Sequence, residues 1–311
     1  MKKLISVLLA VVLLIPCGCA KTGAAVRVAA LMGPTGMGMA NMMEKNTGRY
    51  DFTLASAPDQ VAAAIVSGSV DIAAVPVNLA AALYQKTQGA VQVLAVNTLG
   101  VLYILENGDT IHSLADLEGK TLYATGQAAT PEYVLNYLLE KNGLADKVDV
   151  EYLPEHTELA ALLRTGDAAI GMLPEPNVTS VLMGNAETRI ALDLTEQWSK
   201  VADADLVQGC ILVRRDFAEK DPKAVQTFLK DYGNSVDFAL QNPAEAADIM
   251  ERQGIVPKAA IAEAALPNCN ICLITGAKMR QQMDGMLQVL FEANPASVGG
   301  SLPDEGFYYE K

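Results

Sequence analysis

Two distant segments of the chain repeat one pattern of helix, turn, strand and helix. The first reads AAAIVSGSVDIAAVPVNLA and the second reads LAALLRTGDAAIGMLPEPNVT. In each, a helical stretch leads to a glycine (Gly68 or Gly166), an aspartate and an apolar strand that ends at a proline (Pro76 or Pro174). Any such unit shares some of these features, but the matching placement favours two homologous lobes.

Short apolar strands alternate with helices along the rest of the chain. Strands are predicted at 26–31, 52–55, 70–75, 91–97, 101–105, 121–124, 148–152, 168–172, 189–194 and 207–213. Helices are predicted at 37–45, 58–67, 78–85, 113–117, 131–142, 158–165, 174–183, 222–240, 243–253, 258–265 and 277–294. Buried strands separated by helices indicate an α/β fold with helices on both faces of the sheet.

The first residues have the pattern of a secretory signal. Lys2 and Lys3 precede an apolar run at 4–15, which is too short to span a bilayer. The run leads to Gly18 and Cys19, and this ending resembles a bacterial lipoprotein signal. The resemblance implies cleavage before Cys19, which then carries the lipid.

An ordinary secretory signal with incidental cysteines is the alternative. Cys17 is a poorer lipidation site than Cys19, because Pro16 would then precede the cut. We therefore assign residues 1–18 to a signal peptide and residues 19–25 to a linker behind the lipid anchor.

The charge balance excludes some partners. The chain has 23 basic and 36 acidic residues, for a formal net charge of −13. Such an acidic protein repels nucleic acid and anionic lipid surfaces, so neither is expected as a partner. Contact with the membrane is expected only through the lipid anchor.

Five segments between Val26 and Tyr309 resemble one family of transport proteins. They are RVAALMGPTGMG, IVSGSVDIAAVP, LADLEGKTLYATGQAATPEYVL, LLRTGDAAIGMLPEPNVT and NPASVGGSLPDEGFYY. Their order and spacing are similar to those of ABC-transporter substrate-binding proteins of the nitrate, sulfonate and taurine group. That group is related to the proteins that bind thiamine pyrimidine precursors.

The resemblance implies a fold and a division of the chain. It implies an α/β, two-lobed fold of the type II periplasmic-binding-protein kind, with a ligand cleft between the lobes that closes on the ligand. Two crossover strands are expected, near Ile104 and near Leu212. The first lobe would comprise residues 26–105 and 214–311, and the second residues 106–213.

Four loops are the candidate ligand-binding site. In open α/β sheets, ligands bind beyond the carboxyl ends of the strands, where helix N-termini present free N–H groups. The resemblance adds that the family uses the loop before residue 131 for binding. The candidate residues are Gly33, Thr35, Gly36 and Met37 in the first loop, Pro76 and Asn78 in the second, Gln127, Ala128 and Thr130 in the third, and Glu175 in the fourth.

Each of these loops also has a purely structural interpretation. The first loop reads as a weak GxxGxG without the lysine of a P-loop, and a simple strand–helix turn explains it equally well. Asn78 and Thr130 are good helix N-caps. Glu175 in the first turn of a helix is stabilised by the helix dipole, or it meets a cationic or hydrogen-bond-donating group of the ligand.

No residue pattern points to catalysis. Cys269 and Cys272 form a CxxC motif that leads into an apolar stretch, and buried thiols or an incidental disulfide explain it best. His112 and His156 are expected to be exposed, and neither accompanies a nucleophile signature. We therefore predict no catalytic residue, no metal site and no cofactor.

The sequence and the resemblance together predict an extracytoplasmic solute-binding lipoprotein. It would deliver a small organic solute to an ABC permease and its ATPase. None of the four loops contains arginine, which favours a neutral or weakly charged ligand over an inorganic anion. The alternatives are an enzyme of the same fold in pyrimidine or menaquinone biosynthesis, and a ligand-sensing lipoprotein that docks onto a receptor.

Overall fold

The computed structural model of the protein describes residues 24–310. The predicted signal peptide and the predicted lipid-bearing Cys19 lie outside these residues. Within them, the chain forms one six-stranded and one five-stranded sheet. None of the helices found in this range combines the length and the apolar character that crossing a membrane requires.

Strands and helices alternate through most of the described range. The strands are β1 (Val26–Leu31), β2 (Tyr50–Ala55), β3 (Ile72–Pro76), β4 (Val91–Leu99), β5 (Leu102–Asn107), β6 (Thr121–Thr125), β7 (Asp149–Leu153), β8 (Ile170–Pro174), β9 (Thr188–Asp193), β10 (Val207–Arg214) and β11 (Ile271–Ile274). The helices are α1 (Pro34–Met37), α2 (Ala40–Glu44), α3 (Pro58–Val66), α4 (Val77–Lys86), α5 (Thr130–Lys141), α6 (His156–Thr165), α7 (Asn177–Gly184), α8 (Leu194–Ser199), α9 (Arg215–Lys220), α10 (Pro222–Gln241), α11 (Pro243–Arg252), α12 (Ala259–Ala265) and α13 (Gly276–Ala293).

The first sheet has apolar side chains on both faces. Its strand order is β11-β4-β10-β3-β1-β2, with β1 parallel to β2 and β3, and β10 antiparallel to β3 and β4. Ala73 and Leu212 face a core shared with α3, α4 and α13. Ile72 and Ile211 face a second core shared with α10 and α11. This double burial explains why the strands are continuous apolar runs rather than alternating ones.

The second sheet repeats the strand arrangement of the first. Its order is β7-β6-β8-β5-β9, with β6 parallel to β7 and β8, and β5 antiparallel to β8 and β9. The order β2-β1-β3-β10-β4 in the first sheet is equivalent strand for strand. The duplicated segments occupy matching places, as α3 with β3 and as α6 with β8. The strand orders therefore agree with the predicted duplication.

The chain crosses between the sheets twice, but not where the sequence predicted. Ile104 pairs with Met172 and Leu192 inside the second sheet, and Leu212 pairs with Ala73 inside the first. The crossings lie after Leu99 and between β9 and β10. The predicted lobe boundaries at 105/106 and 213/214 thus divide β5 and assign most of β10 to the wrong sheet. An apolar strand buried on both faces has the same pattern in either sheet, so its composition does not reveal its partners.

Several short elements also differ from the prediction. The helix predicted at 37–45 is two short helices, α1 and α2, on either side of Gly38. At Gly38 a Cβ would lie 2.4 Å from the Tyr232 hydroxyl oxygen, so a close packing contact occupies this break. The strand β11 and the helices α8 and α9, each four to six residues long, were not predicted.

The two lobes contact each other through helices as well as loops. α13 of the first lobe packs against α5 of the second, and α12 packs against α7. The Tyr137 ring on α5 lies 4.9 Å, centroid to centroid, from that of Trp198 in the second crossing. These contacts bring the facing edges of the two sheets together.

Asp71 ties three strands of the first sheet together. Its buried carboxylate accepts hydrogen bonds from the Arg27 backbone N–H and from Arg27 Nε, each at 3.0 Å. Arg214 Nη1 lies 3.7 Å from the same carboxylate, and the Arg214 backbone N–H donates to the Asp71 carbonyl at 2.9 Å. Asp71 therefore links β1, β3 and β10 at the end of the sheet opposite the cleft.

We predict that Asp71→Asn destabilises the fold. The substitution removes the charge that both arginines face and costs about 1.5–3 kcal/mol in free energy of unfolding, the usual range for hydrogen bonds to a charged group. Urea denaturation measures the change. Asp51→Asn, at an exposed position on β2, is the control and should change stability by less than about 0.5 kcal/mol. Equal stabilities of the two variants would contradict this role for Asp71.

Candidate ligand-binding site

The four predicted loops lie at the facing edges of the two sheets. Two of them follow β1 and β3 of the first lobe, and two follow β6 and β8 of the second. The first and fourth loops are close neighbours, since a Cβ on Gly33 would lie 3.9 Å from Pro176 Cδ. The second and third loops are joined by a hydrogen bond. The cleft between the lobes is therefore lined by the loops that the sequence singled out.

Asn78 and Thr130 form a direct hydrogen bond between the lobes. Thr130 Oγ1 donates to Asn78 Oδ1 at 3.0 Å, and both side chains are buried. Neither residue is the helix N-cap that the sequence suggested. Pro76 and Ala129 occupy the N-cap positions of α4 and α5, and neither side chain makes a capping hydrogen bond. The two polar groups satisfy each other across the cleft instead.

Glu175 lies just before α7 rather than in its first turn. Its carboxylate accepts hydrogen bonds from the Thr179 backbone N–H at 3.0 Å and from Thr179 Oγ1 at 2.9 Å. Asn268 of the first lobe donates to it at 3.4 Å. Burial raises the pKa of Glu175 above its ordinary value, against the opposing effect of these hydrogen bonds. The carboxylate thus caps α7 and contacts the other lobe.

The first loop is shaped mainly by packing. Gly33 has a φ of 83°, and its N–H donates to the Ile255 carbonyl at 3.0 Å. At Gly36 a Cβ would lie 2.4 Å from the Leu31 carbonyl oxygen, and Met37 is fully buried in the core of the first lobe. Of the four residues predicted here, Thr35 is only partly buried. The turn interpretation therefore accounts for the glycines of this loop.

A cavity of about 550 Å³ opens between the lobes on one side. It lies between α3 and α4 of the first lobe and the loop before α5 of the second. Four predicted residues line it, namely Pro76, Asn78, Gln127 and Ala128. Asp59 and Lys86 add one charge of each sign to its wall. The second and third loops therefore face open space, whereas Glu175 and the first loop do not line this cavity.

Sequence reasoning missed a polar cluster on the floor of the cleft. Asn97 and Thr98, at the end of β4, are fully buried. Asn97 Nδ2 donates to the Thr35 carbonyl at 3.2 Å, and Thr98 Oγ1 donates to Asn97 Oδ1 at 3.3 Å. Gln208, at the start of β10, is also buried. The sequence signal for this cluster was the pair of consecutive polar residues, Asn97 and Thr98, at the end of an apolar strand.

His156 is not exposed, contrary to the prediction. It begins α6 at the cleft edge of the second sheet, and its Nδ1 lies 2.7 Å from Thr125 Oγ1. Burial lowers the pKa of His156, which favours the neutral ring. His112, in contrast, has an exposed side chain, as predicted.

The cysteines of the described region have the environment of structural thiols. Cys210, Cys269 and Cys272 are free, so the CxxC motif is not a disulfide. Burial raises the pKa of Cys272 to about 12 and also raises the pKa of Cys269. Thiols with such pKa values are poor nucleophiles at neutral pH. Among residues 24–310, no group of three or more His, Cys, Asp or Glu side chains has a geometry suited to a metal ion.

We predict that Glu175→Gln changes how stability depends on pH. Because the folded-state pKa of Glu175 is raised, its proton stabilises the fold below the unfolded pKa of about 4.5. That contribution is lost as the pH rises through the folded-state pKa. Relative to the wild type, the free energy of unfolding of Glu175→Gln should therefore rise between pH 4 and pH 8, as measured by urea denaturation. Glu140→Gln, at an exposed position, is the control. The prediction would be contradicted if the stability of Glu175→Gln relative to the wild type fell as the pH rises.

Comparison with solved structures shows the fold. An ABC transporter structure from Parabacteroides distasonis superposes with a TM-score of 0.81 at 23% identity, covering 93% of this chain and 100% of that one. The periplasmic aliphatic sulphonate binding protein SsuA from Escherichia coli has a TM-score of 0.74 at 16% identity, covering 93% and 92%. The alkanesulfonate-binding protein SsuA from Xanthomonas axonopodis pv. citri, solved bound to MOPS, has a TM-score of 0.66 at 18% identity, covering 91% and 95%. These similarities confirm the two-lobed α/β fold expected from the sequence.

The sequence itself identifies the family. No curated protein matches the chain significantly. The family model described as NMT1/THI5 like matches residues 50–246, which is well over half of the chain and spans the duplicated segments and most of both sheets. The chain therefore belongs to the NMT1/THI5-like family.

Proposed function

We propose that the protein is an extracytoplasmic solute-binding lipoprotein that delivers a small organic solute to an ABC importer. The observation that carries the proposal is the hydrogen bond between Asn78 and Thr130, which joins the lobes at the cleft. A binding protein of this kind needs groups on both lobes that hold the closed state, because ligand closes the cleft only through contacts specific to that state. The family and the sulfonate-binding structural relatives support the same function.

The polar groups around the cleft support a neutral or weakly charged ligand. The side chains of Asn78, Thr130 and Gln127 are amides and hydroxyls, which recognise carbonyl, hydroxyl and ring-nitrogen groups. Lys86, the basic residue of the cavity, ends α4 at the far end from the cleft. We therefore propose hydrogen bonding rather than ion pairing as the main source of affinity. The partners are the small-molecule ligand and the permease and ATPase of the importer.

Binding is a better proposal than catalysis by an enzyme of the same fold. Cys210 and Cys269 are buried, Cys272 is partly buried, and burial raises the pKa of all three thiols. The His156 ring is paired with Thr125. A general base needs access to a substrate proton at hydrogen-bonding distance. The predicted export signal also argues against the cytoplasmic biosynthetic enzymes. We propose that the protein binds its ligand without converting it.

A ligand screen followed by substitutions tests the binding proposal. Thermal shift assays with sulfonates, pyrimidines and amino-acid derivatives should find a compound that stabilises the protein. At one hundred times its Kd, a ligand adds about 2.7 kcal/mol of stability. Asn78→Ala and Thr130→Ala should each weaken the binding of that compound by about 1–3 kcal/mol in calorimetry.

Asn136→Ala, an exposed position on α5, is the control and should bind as the wild type does. Melting of the ligand-free variants separates binding from folding. If the variants keep their affinity but lose stability, Asn78 and Thr130 hold the lobes together without contributing to ligand binding. Mass spectrometry of the recovered ligand tests the absence of turnover, and a converted product at catalytic yield would overturn it.

We also propose that Cys19 carries a lipid that anchors the protein on the outer side of the cell membrane. The proposal is supported by the signal pattern and the small Gly18 before it. Expressed in a bacterium, the wild type should fractionate with membranes and have a lipidated N-terminal cysteine by mass spectrometry. Cys19→Ser should lack the lipid in the same mass analysis, whereas Cys17→Ser should retain it on Cys19. A wild-type protein with a free N-terminus other than Cys19 would contradict the anchor.

A further inference from the structure

Gln208 occupies a β-bulge at the start of β10. Along the pairing with β4, Val207 lies opposite Leu99 and Gly209 lies opposite Thr98. Gln208 is therefore an extra residue with no counterpart on β4. Bulges redirect a side chain, and they are frequent beside functional sites.

The Gln208 amide is buried and lacks a partner. The residue is 9% exposed, and its Nε2 donates to no protein atom among residues 24–310. Two neighbouring polar groups are already engaged, since Asn97 Nδ2 donates to the Thr35 carbonyl and Thr98 Oγ1 donates to Asn97 Oδ1. A buried amide donor without an acceptor destabilises a fold, and such groups are rare in native proteins. An acceptor from outside the protein, either a water molecule or a ligand atom, would satisfy this donor.

The bulge lies next to the contact that joins the lobes. Gly209, which follows Gln208, pairs with Pro76, and Pro76 lies two residues before Asn78. Asn78 accepts the hydrogen bond from Thr130 of the second lobe. Gln208 therefore lies near the start of β10, where this strand pairs with the end of β3 next to the N-terminus of α4.

We propose that Gln208 Nε2 donates a hydrogen bond to the bound solute and selects ligands that present an acceptor atom. Carbonyl oxygens, sulfonate oxygens and ring nitrogens satisfy this requirement, whereas cations without an acceptor do not. The inference rests on the proposed solute-binding function and specifies its ligand chemistry. Gln208 is then a specificity-determining residue rather than a structural one.

The structural alternative is a partner within the protein. Gln282 on α13 has a buried Oε1 without a donor, and its Nε2 donates to Asp205, three residues before Gln208. If Gln208 bonded to Gln282 in solution, removing its amide would destabilise the fold. Ligand-free stability therefore distinguishes the two roles.

Gln208→Met and Gln92→Met form a matched pair for this test. Gln92 is also 9% exposed, but its Nε2 donates to the carbonyls of Gly306 and Tyr308, each at 3.2 Å. In the full-length protein in detergent, Gln208→Met should melt at or above the wild-type temperature. Gln92→Met should melt about 2–4 °C lower. A Gln208→Met protein that melts as low as Gln92→Met would overturn the proposal.

Three probes of different chemistry test the ligand contact. They are MOPS as a sulfonate, cytosine as a neutral heteroaromatic compound and tetramethylammonium as a cation without an acceptor. For whichever of the first two raises the wild-type melting temperature more, Gln208→Met should weaken the Kd at least tenfold. Equal affinity of the variant and the wild type, or binding of tetramethylammonium, would overturn the proposal and leave the proposed function intact. If neither MOPS nor cytosine shifts the wild type, the same Kd comparison is made with the stabilising compound that the ligand screen finds.

Discussion

The hydrogen bond from Thr130 to Asn78 is the contact on which the arrangement of the cleft depends. It joins the N-terminal turns of α4 and α5, which follow strands of different sheets. A single neutral hydrogen bond contributes only about 0.5–1.5 kcal/mol net. This contact alone therefore contributes little to closure, which also depends on the packing of α13 against α5 and of α12 against α7. A ligand that adds a few hydrogen bonds in the closed state has enough differential affinity to decide between open and closed lobes.

A second contact between the lobes, from Asn268 to Glu175, carries an energetic cost. The carboxylate is buried, and three hydrogen bonds offset part of its lost hydration. The carboxylate thus carries a burial cost, while its hydrogen bonds to Thr179 hold the first turn of α7.

The sequence predicted the fold class and the duplication well, but it did not predict what the duplicated residues do. The turn glycines both have left-handed backbones, with φ of 73° at Gly68 and 82° at Gly166, because a helix ends there and a strand begins. The aspartates differ: Asp71 is buried against Arg27, whereas Asp167 is exposed and bonds only to Thr165. Local pattern determines backbone turns. The partners of a side chain depend on residues far along the chain, such as Arg27, which a local pattern does not contain.

The same distinction explains which parts of the site could be predicted. The loops at the strand ends were predictable because every parallel α/β unit places its helix N-terminus at that edge. Gln208 was not, because its bulge arises from the register between β10 and β4, which are separated by more than a hundred residues. The predicted caps at Asn78 and Thr130 failed for a related reason: each hydroxyl or amide has several possible partners, and the nearest in sequence was not the nearest in space. Gln208 carries no charge and belongs to no motif, so its unpaired, buried amide is the feature that distinguishes it.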